Sequence, residues 1–536
     1  MDTPSSGTID LEHGERGLRK RLTLTFRNVS VHVTAPDAAL GDTLLSVADP
    51  RQYLGFLKGS RPKRTILKDV SGQVKPGEML LVLGRPGSGC TSLLRVLSND
   101  RESFDEVVGE TRYGSMYHLA ARRFRQQIMF SNEDDVHFPT LTVNRTLKFA
   151  LRNKVPRERP EGQGSKEFVQ EQRDGILASL GIPNTTKTLV GNEFIRGVSG
   201  GERKRVSLAE VIAGQSPIQF WDNPTRGLDS KTAVEFARLL RREADINHKT
   251  MVATMYQAGN GIYNEFDQLA RSYFEDMGFV CPKGANIADF PTSVTVLTER
   301  IVRPGMGDKV PSTAEEFESR YRQSDIYQKA MEGVDPPEKL THEVDELTAA
   351  KRKRHFPQTP SVYTASLWEQ IRACTIHQFQ IMAGDRLSLI IKVVLAILQA
   401  LVCGSLFYNL KDDSSSIFLR PGALFFPVLY FLLESMSETT ASFMGRPILS
   451  RQKRFGFYRP TAFCIANAIT DIPVVLLQVS CFCIIRYFMA ALQMDAGRFF
   501  TYWIIVIANT LHEDDRPGIS RGSSKIWGDI EAEVGR

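Results

Sequence analysis

Gly84-Arg-Pro-Gly-Ser-Gly-Cys-Thr91, followed by Ser92, lies between a short apolar run, Met79–Leu83, and a segment of helical character, Thr91–Leu97. The run reads as a buried strand that feeds a glycine-rich turn, and the turn opens a helix. Glycines in such a turn let backbone N–H groups point at one anion, and the helix N-terminus adds partial positive charge. The chemistry on offer is phosphate binding. Gly84, Arg85, Pro86, Gly87, Ser88, Gly89, Cys90, Thr91 and Ser92 form the candidate nucleotide cradle, with Thr91 or Ser92 supplying the hydroxyl that meets Mg²⁺. A lysine ordinarily stands where Cys90 does and carries positive charge to the β- and γ-phosphates. A neutral thiol carries none, so the loop alone is a degenerate signal.

Further along, Val198-Ser-Gly-Gly-Glu-Arg-Lys-Arg205 opens a helix over Glu202–Ala213 with a serine and paired glycines, a second anion-binding helix start. Ile218-Gln-Phe-Trp-Asp222 is an apolar strand that ends on a carboxylate suited to Mg²⁺. Gly227-Leu-Asp-Ser230 and Tyr256 follow. The elements that must position these groups can be read from pattern: strands over Leu22–Val33 and Thr250–Thr254, and helices over Leu147–Leu151 and Lys166–Leu180. Residues 34–65 read as a loop with a short amphipathic segment, and Val155–Ser165 as a charged connector. Strands alternating with helices predict an α/β domain with a mainly parallel sheet.

The chain has 536 residues, 42% hydrophobic and 24% charged, with a net charge of +6. These averages exclude a collagenous, low-complexity or wholly disordered chain, yet they conceal an uneven distribution. Charge is dense to about residue 386, and apolar runs dominate from there to about 511. Leu387–Phe407 is long enough to cross a bilayer, with Lys392 near its cytosolic end. Ile417–Met436 and Ile472–Gln493 read as second and third spans, and Phe499–Leu511 as a partial fourth. Ser366–Ala383 reads as an amphipathic helix at the membrane surface. The loop between spans two and three holds Arg446, Arg451, Lys453, Arg454 and Arg459, which places it in the cytosol with the N-terminal domain. No apolar targeting segment opens the chain. The seven cysteines are scattered, which argues against a disulfide scaffold, and the nine histidines do not cluster. Basic runs such as Arg122-Arg-Phe-Arg125 and Lys351-Arg-Lys-Arg354 are read as solvated surface, with no nucleic-acid partner.

Together the Ser199–Glu202 signature, the Gly227–Ser230 turn and the Gly84–Thr91 loop resemble fungal ABC transporters of the G type, the pleiotropic drug resistance group, in the first half of a full-size member. Glu133–Pro139 with Leu141–Val143, and Pro447–Pro460 with Asp471–Pro473, extend the resemblance over residues 23–511. It implies an α/β P-loop NTPase domain of ABC type followed by an α-helical transmembrane domain. The implied boundaries are a disordered start at 1–22, a nucleotide domain at 23–295, a linker at 296–365, a connecting helix at 366–386, membrane helices at 387–511 and a polar tail at 512–536. It further implies ATP and Mg²⁺ as cofactors, with Thr91 and Asp222 toward the metal. Ser199, Gly200, Gly201 and Glu202 would complete the site of a second nucleotide domain, and Gly227, Leu228 and Asp229 form the D-loop.

The resemblance also exposes losses. Glu133, Asn223 and Tyr256 stand where the family has Gln, Glu and His, so no catalytic residue is assigned, and weak hydrolysis is expected. The implied function is ATP-driven efflux of hydrophobic drugs or secondary metabolites from a multi-pass protein of the plasma membrane. The implied partners are membrane lipid, a hydrophobic small molecule, and a second nucleotide domain with its membrane half. Two departures favour a shortened chain. A strand pair is missing near Leu269–Ala270, and the fourth span stops at 511 where family halves have six. A non-transporting fragment that at most associates with a full-length transporter is the alternative.

Overall fold

The computed structural model describes residues 21–34, 63–155, 164–256, 258–267, 270–352, 363, 365–410 and 417–519. Residues 1–20, most of the 34–65 loop, the centre of the 155–165 connector, the 268–269 junction and the tail from 520 lie outside these.

Two four-stranded sheets build the N-terminal half. The first is antiparallel, in the order β2-β1-β4-β5, from β1 (Leu24–Thr34), β2 (Lys63–Val74), β4 (Glu106–Tyr113) and β5 (Met116–Tyr117). The second is parallel, in the order β3-β8-β7-β6, from β3 (Met79–Val82), β6 (Ile128–Ser131), β7 (Ile218–Asp222) and β8 (Thr250–Thr254). β7 and β8 are buried along their whole length, as strands covered on both faces must be. Helices α1 (Cys90–Leu97), α2 (Val143–Lys154), α3 (Ser165–Ser179), α4 (Gly200–Ala213) and α5 (Ser230–Asn247) pack around this sheet. The core runs through Leu147, Leu208, Trp221, Phe236 and Met251. The α/β prediction with a parallel sheet holds; the antiparallel sheet beyond β1 is an addition to it.

β3 is the edge strand beside the 268–269 junction. Its first residue is tied down there: the Met79 amide donates to Asp267 Oδ2 at 2.8 Å, and the Asp267 amide donates to the Met79 carbonyl at 3.2 Å.

The linker, read from sequence as irregular with some helix, carries helices at Ala314–Gln323, Asp325–Glu332 and Thr341–Arg352. It folds back on the first sheet. Glu343 accepts from the Thr23 amide at 2.8 Å and from its hydroxyl at 2.7 Å, and Leu347 enters the core beneath β1.

The C-terminal half is all helix: α6 (Leu367–Gly384), α7 (Arg386–Leu406), α8 (Leu419–Arg454), α9 (Pro460–Met489) and α10 (Ala496–Ile519). α7 and α9 are each long and apolar enough to cross a membrane. Much of α7 is exposed leucine, isoleucine and valine, the surface a lipid-facing helix presents. Two expectations change. The basic segment read as a loop after span two is the end of one 36-residue helix, α8, which continues through Pro427 and Pro447 to Arg454. The third apolar helix begins at Pro460 and ends at Met489, ahead of the 472–493 boundaries read from hydropathy alone. Beyond the apolar stretch that ends at 511, the backbone of α10 stays helical through Ile519 over charged residues.

Candidate functional site

The glycine loop hangs between the C-terminal end of β3 and the start of α1. Gly87 and Gly89 adopt φ of 84° and 94°, left-handed values that any side chain would strain. Gly89 caps α1 without a side-chain acceptor, which leaves the first-turn N–H groups directed at the loop's mouth. Gly84 has no room for a Cβ, because the Ser88 and Cys90 side chains fold over it, their Oγ and Sγ atoms 3.3 Å apart. The loop therefore forms the cradle that the sequence implies, with a thiol in place of the cation.

Of the two candidate hydroxyls, Thr91 is the one that faces the acidic strand end. Its Oγ1 donates to Asp222 Oδ1 at 3.1 Å, and Thr254 Oγ1 donates to the same oxygen at 2.7 Å. Burial raises the Asp222 pKa, against these two hydroxyl bonds. Tyr256 hydrogen-bonds Thr91, and burial raises its own pKa. Asn223 sits at φ 43°, a left-handed conformation that asparagine tolerates, with its amide donating to the Thr254 carbonyl at 3.0 Å. Its Nδ2 donates to Glu133 Oε1 at 3.1 Å, and Arg226 Nη1 binds the same oxygen at 2.5 Å. The structure thus brings together the loop, Thr91, Asp222, Asn223, Glu133 and Tyr256, which span 173 positions from Gly84 to Tyr256 along the chain. A hydroxyl and a carboxylate converging at 3.1 Å are hard oxygen donors that fit Mg²⁺, and the open helix start fits a polyphosphate.

The signature residues are elsewhere. Ser199 caps α4 in a reciprocal box: the Glu202 amide donates to Ser199 Oγ at 3.3 Å, and the Ser199 amide donates to Glu202 Oε2 at 2.8 Å. That bond holds the Glu202 carboxyl below its ordinary pKa. Ser199 and Gly200 are exposed, and a Cβ on Gly201 would rest 3.4 Å from the Gly227 carbonyl, so signature and D-loop share one open face. Asp229 caps α5 by accepting from the Thr232 amide at 3.1 Å and leaves Leu228 packed against the core.

α4 also carries contacts that the sequence motif did not announce. Lys204 Nζ donates to the Glu133 carbonyl at 2.6 Å, and Ser207 Oγ meets His137 Nε2 at 2.7 Å. Glu210, one turn on, pairs with Arg451 from the end of α8, and Arg451 Nη2 also lies 3.2 Å from His137 Nδ1. All three members of this cluster are buried. Nearby, Gln126 Nε2 donates to the Gly456 carbonyl, and Arg454 Nη1 pairs with Asp100 at 2.9 Å. The basic end of α8 is thus held on the nucleotide-domain side. α6 closes the junction: His377 stacks on Phe149 at 3.9 Å between ring centroids, and the Arg459 amide donates to Gln370 at 2.9 Å. His137, Phe138, Phe149, His377 and Arg451 line one small cavity there. The histidines that do not cluster in sequence therefore meet in space. Burial keeps both imidazoles neutral, with the His377 pKa pushed down to about 3.

The fold and loop define an ATP-binding-cassette type of nucleotide domain joined to membrane helices. Residues 67–226 match the ABC transporter family and residues 369–511 match the ABC-2 type transporter family. The chain is 90% identical over 531 residues to ABC multidrug transporter G of Aspergillus fumigatus, covering 95% of this chain and 39% of that protein. It is 46% identical to ABC multidrug transporter H of the same fungus, over 92% of this chain and 36% of that one. It is 42% identical to ABC-type transporter cns4 of Cordyceps militaris, over 92% and 38% respectively. The chain belongs to the ABC transporter family, and the fungal relatives it matches include ABC multidrug transporters. It spans about two fifths of the length of these curated relatives.

Proposed function

We propose that this chain is the nucleotide-binding and first membrane-helix part of an ATP-driven exporter of hydrophobic drugs or secondary metabolites in the plasma membrane. One observation carries the reading: Glu133 and α4 contact the nucleotide site at one end and the buried Arg451 of α8 at the other, so phosphate binding and membrane helices meet in one packed unit. The residues toward nucleotide would be the Gly84–Ser92 loop, with Thr91 and Asp222 toward Mg²⁺. When bound, ATP supplies the free energy that drives closure of two nucleotide domains. What this chain's residues do is more limited. The loop and helix start bind phosphate. Thr91 and Asp222 orient a metal. Asn223 offers no carboxylate to take a proton from water, and Glu133 is occupied by Arg226 and Asn223. Binding with little hydrolysis follows.

The exposed signature start at Ser199 and Gly200, beside the D-loop, supports a second nucleotide domain as the partner, with its own membrane half. Co-expression with a full-length relative tests this. Pull-down of the pair and a changed efflux of a fluorescent hydrophobic substrate are expected. No pull-down would sink the partnership.

A further inference from the structure

Resting on the reading of this site as nucleotide-binding, we infer that Arg226 is its phosphate cation, in place of the lysine that Cys90 displaces. The family pattern puts a Lys, a Gln and a Glu at positions 90, 133 and 223, a set carrying one positive and one negative charge. This chain has Cys90, Glu133 and Asn223 there, which keeps the negative charge, moves it to 133 and removes the positive one. A polyphosphate would then meet a site of net negative charge unless a cation enters from elsewhere.

The structure shows which cation is within reach. Arg226 Nη1 sits 2.5 Å from Glu133 Oε1, on the same oxygen that Asn223 Nδ2 holds at 3.1 Å. Asn223 follows Asp222, the carboxylate bonded to Thr91 of the loop. The Arg226 side chain is 65% exposed, so its guanidinium is free to turn from carboxylate to phosphate. One nearby cation is committed. Lys204 is 3% exposed and bound to the Glu133 carbonyl and Asp135, and burial lowers its pKa. Arg85 is 56% exposed and lies 3.9 Å from an exposed Glu299, and the charge of Arg95 acts on Asp222, but neither is paired with Glu133, where the negative charge has moved, among the described residues. An arginine fork also matches phosphate geometry better than a point charge does. In the nucleotide-free chain, the Glu133 carboxylate holds the guanidinium in place and competes with phosphate for it.

The test is a titration of the full chain, purified in detergent, with a trinitrophenyl-ATP probe in Mg²⁺, displaced by ATP. Saturable binding by the unaltered chain is expected, and its absence would overturn the nucleotide reading and this inference together. Arg226→Ala is expected to weaken binding about tenfold. Arg226→Lys should keep most of the affinity, and Glu133→Gln should tighten it by freeing the guanidinium. Adding Cys90→Lys to Arg226→Ala should recover the loss. Arg226 is at the surface, so an unchanged melting temperature checks that its variants fold. If the unaltered chain binds and Arg226→Ala binds within about twofold of it, the inference fails while the nucleotide reading stands. The same holds if Cys90→Lys does not rescue.

Discussion

Glu210→Gln strands the Arg451 guanidinium at the junction of the two halves. Glu210 is 2% exposed and Arg451 6%, so neither group can recover its lost partner from water. Burial already pulls the arginine's pKa down to about 10, which leaves it a cation at neutral pH. Breaking a buried pair from one side costs about 3–5 kcal/mol. His137 Nδ1 lies 3.2 Å from Arg451 Nη2, but it is one neutral ring and does not replace a carboxylate. For a domain of roughly 150–250 residues, 1 kcal/mol corresponds to about 2–4 °C, so the melting temperature should fall by on the order of 10 °C. Glu210→Leu combined with Arg451→Met removes both charges and keeps the volume, and it should melt within a few degrees of the unaltered chain. The assay is thermal unfolding of the purified chain in one detergent, read by tryptophan fluorescence. The buried Trp221 reports the nucleotide core, and Trp503 reports the membrane helices. A Glu210→Gln single variant that melts within about 2 °C of the unaltered chain would refute the reasoning. So would a double variant that melts lower than the single.

Three further outcomes follow from the same contacts. His137 and His377 have folded pKa values below the ordinary 6.5, so an unfolded chain takes up their protons first, and their stabilisation is complete above about pH 6.5 and lost below it, toward about pH 3 for His377. For His377 the loss one pH unit below 6.5 is on the order of 1 kcal/mol; melting temperatures measured across that range should fall with pH, and an unchanged slope in His377→Phe would contradict the assignment. Asp222→Asn should abolish the strengthening of nucleotide binding by Mg²⁺ while leaving metal-free binding intact, read by titration with and without chelator; a variant still helped by Mg²⁺ would remove Asp222 from the metal site. Arg486 is buried in α9 between Phe407 and Phe426, with Nε donating to the Ala423 carbonyl at 2.9 Å and the Cys403 thiol beside its guanidinium, both neutral partners. Arg486→Met should therefore hold stability or raise it by about 1–4 kcal/mol, and a drop in melting temperature would show that the aromatic contacts outweigh the buried charge.

Much of the parallel sheet and its loop was legible because each rests on local chemistry. Apolar runs such as Met79–Leu83 and Ile218–Trp221 must be buried, and left-handed positions at the loop demand glycine. The antiparallel sheet was less so. β2, Lys-Arg-Thr-Ile-Leu-Lys-Asp-Val-Ser-Gly-Gln-Val, is only half-buried and breaks its register against β1 at several points, so it shows no clean alternation. The long α8 was hidden by its two prolines and basic end, which read as a loop until Arg451 and Arg454 find acidic partners on the nucleotide domain. At the junction, His137 and Arg451 lie in segments that carry the resemblance, but nothing in the sequence pairs them with Glu210 and His377. His137, Glu210, His377 and Arg451 are far apart in sequence, and only folding brings them together. Lys204, Ser207 and Glu210 repeat every third residue on a helix that is otherwise apolar from Val206 onward, a polar stripe that marks α4 as facing more than core. Arg226 lay in plain view beside the Gly227 turn, but its meaning required the contact with Glu133.

The central claim, a site that holds nucleotide and hydrolyses it poorly, is tested most directly by photolabelling. Membranes containing the chain are incubated in Mg²⁺ with azido-ATP carrying its radiolabel on either the α- or the γ-phosphate, then irradiated. Equal labelling from both positions, persisting through a long incubation at working temperature, is the expected result. Labelling by neither form, or steady loss of the γ-label while the α-label remains, would contradict it.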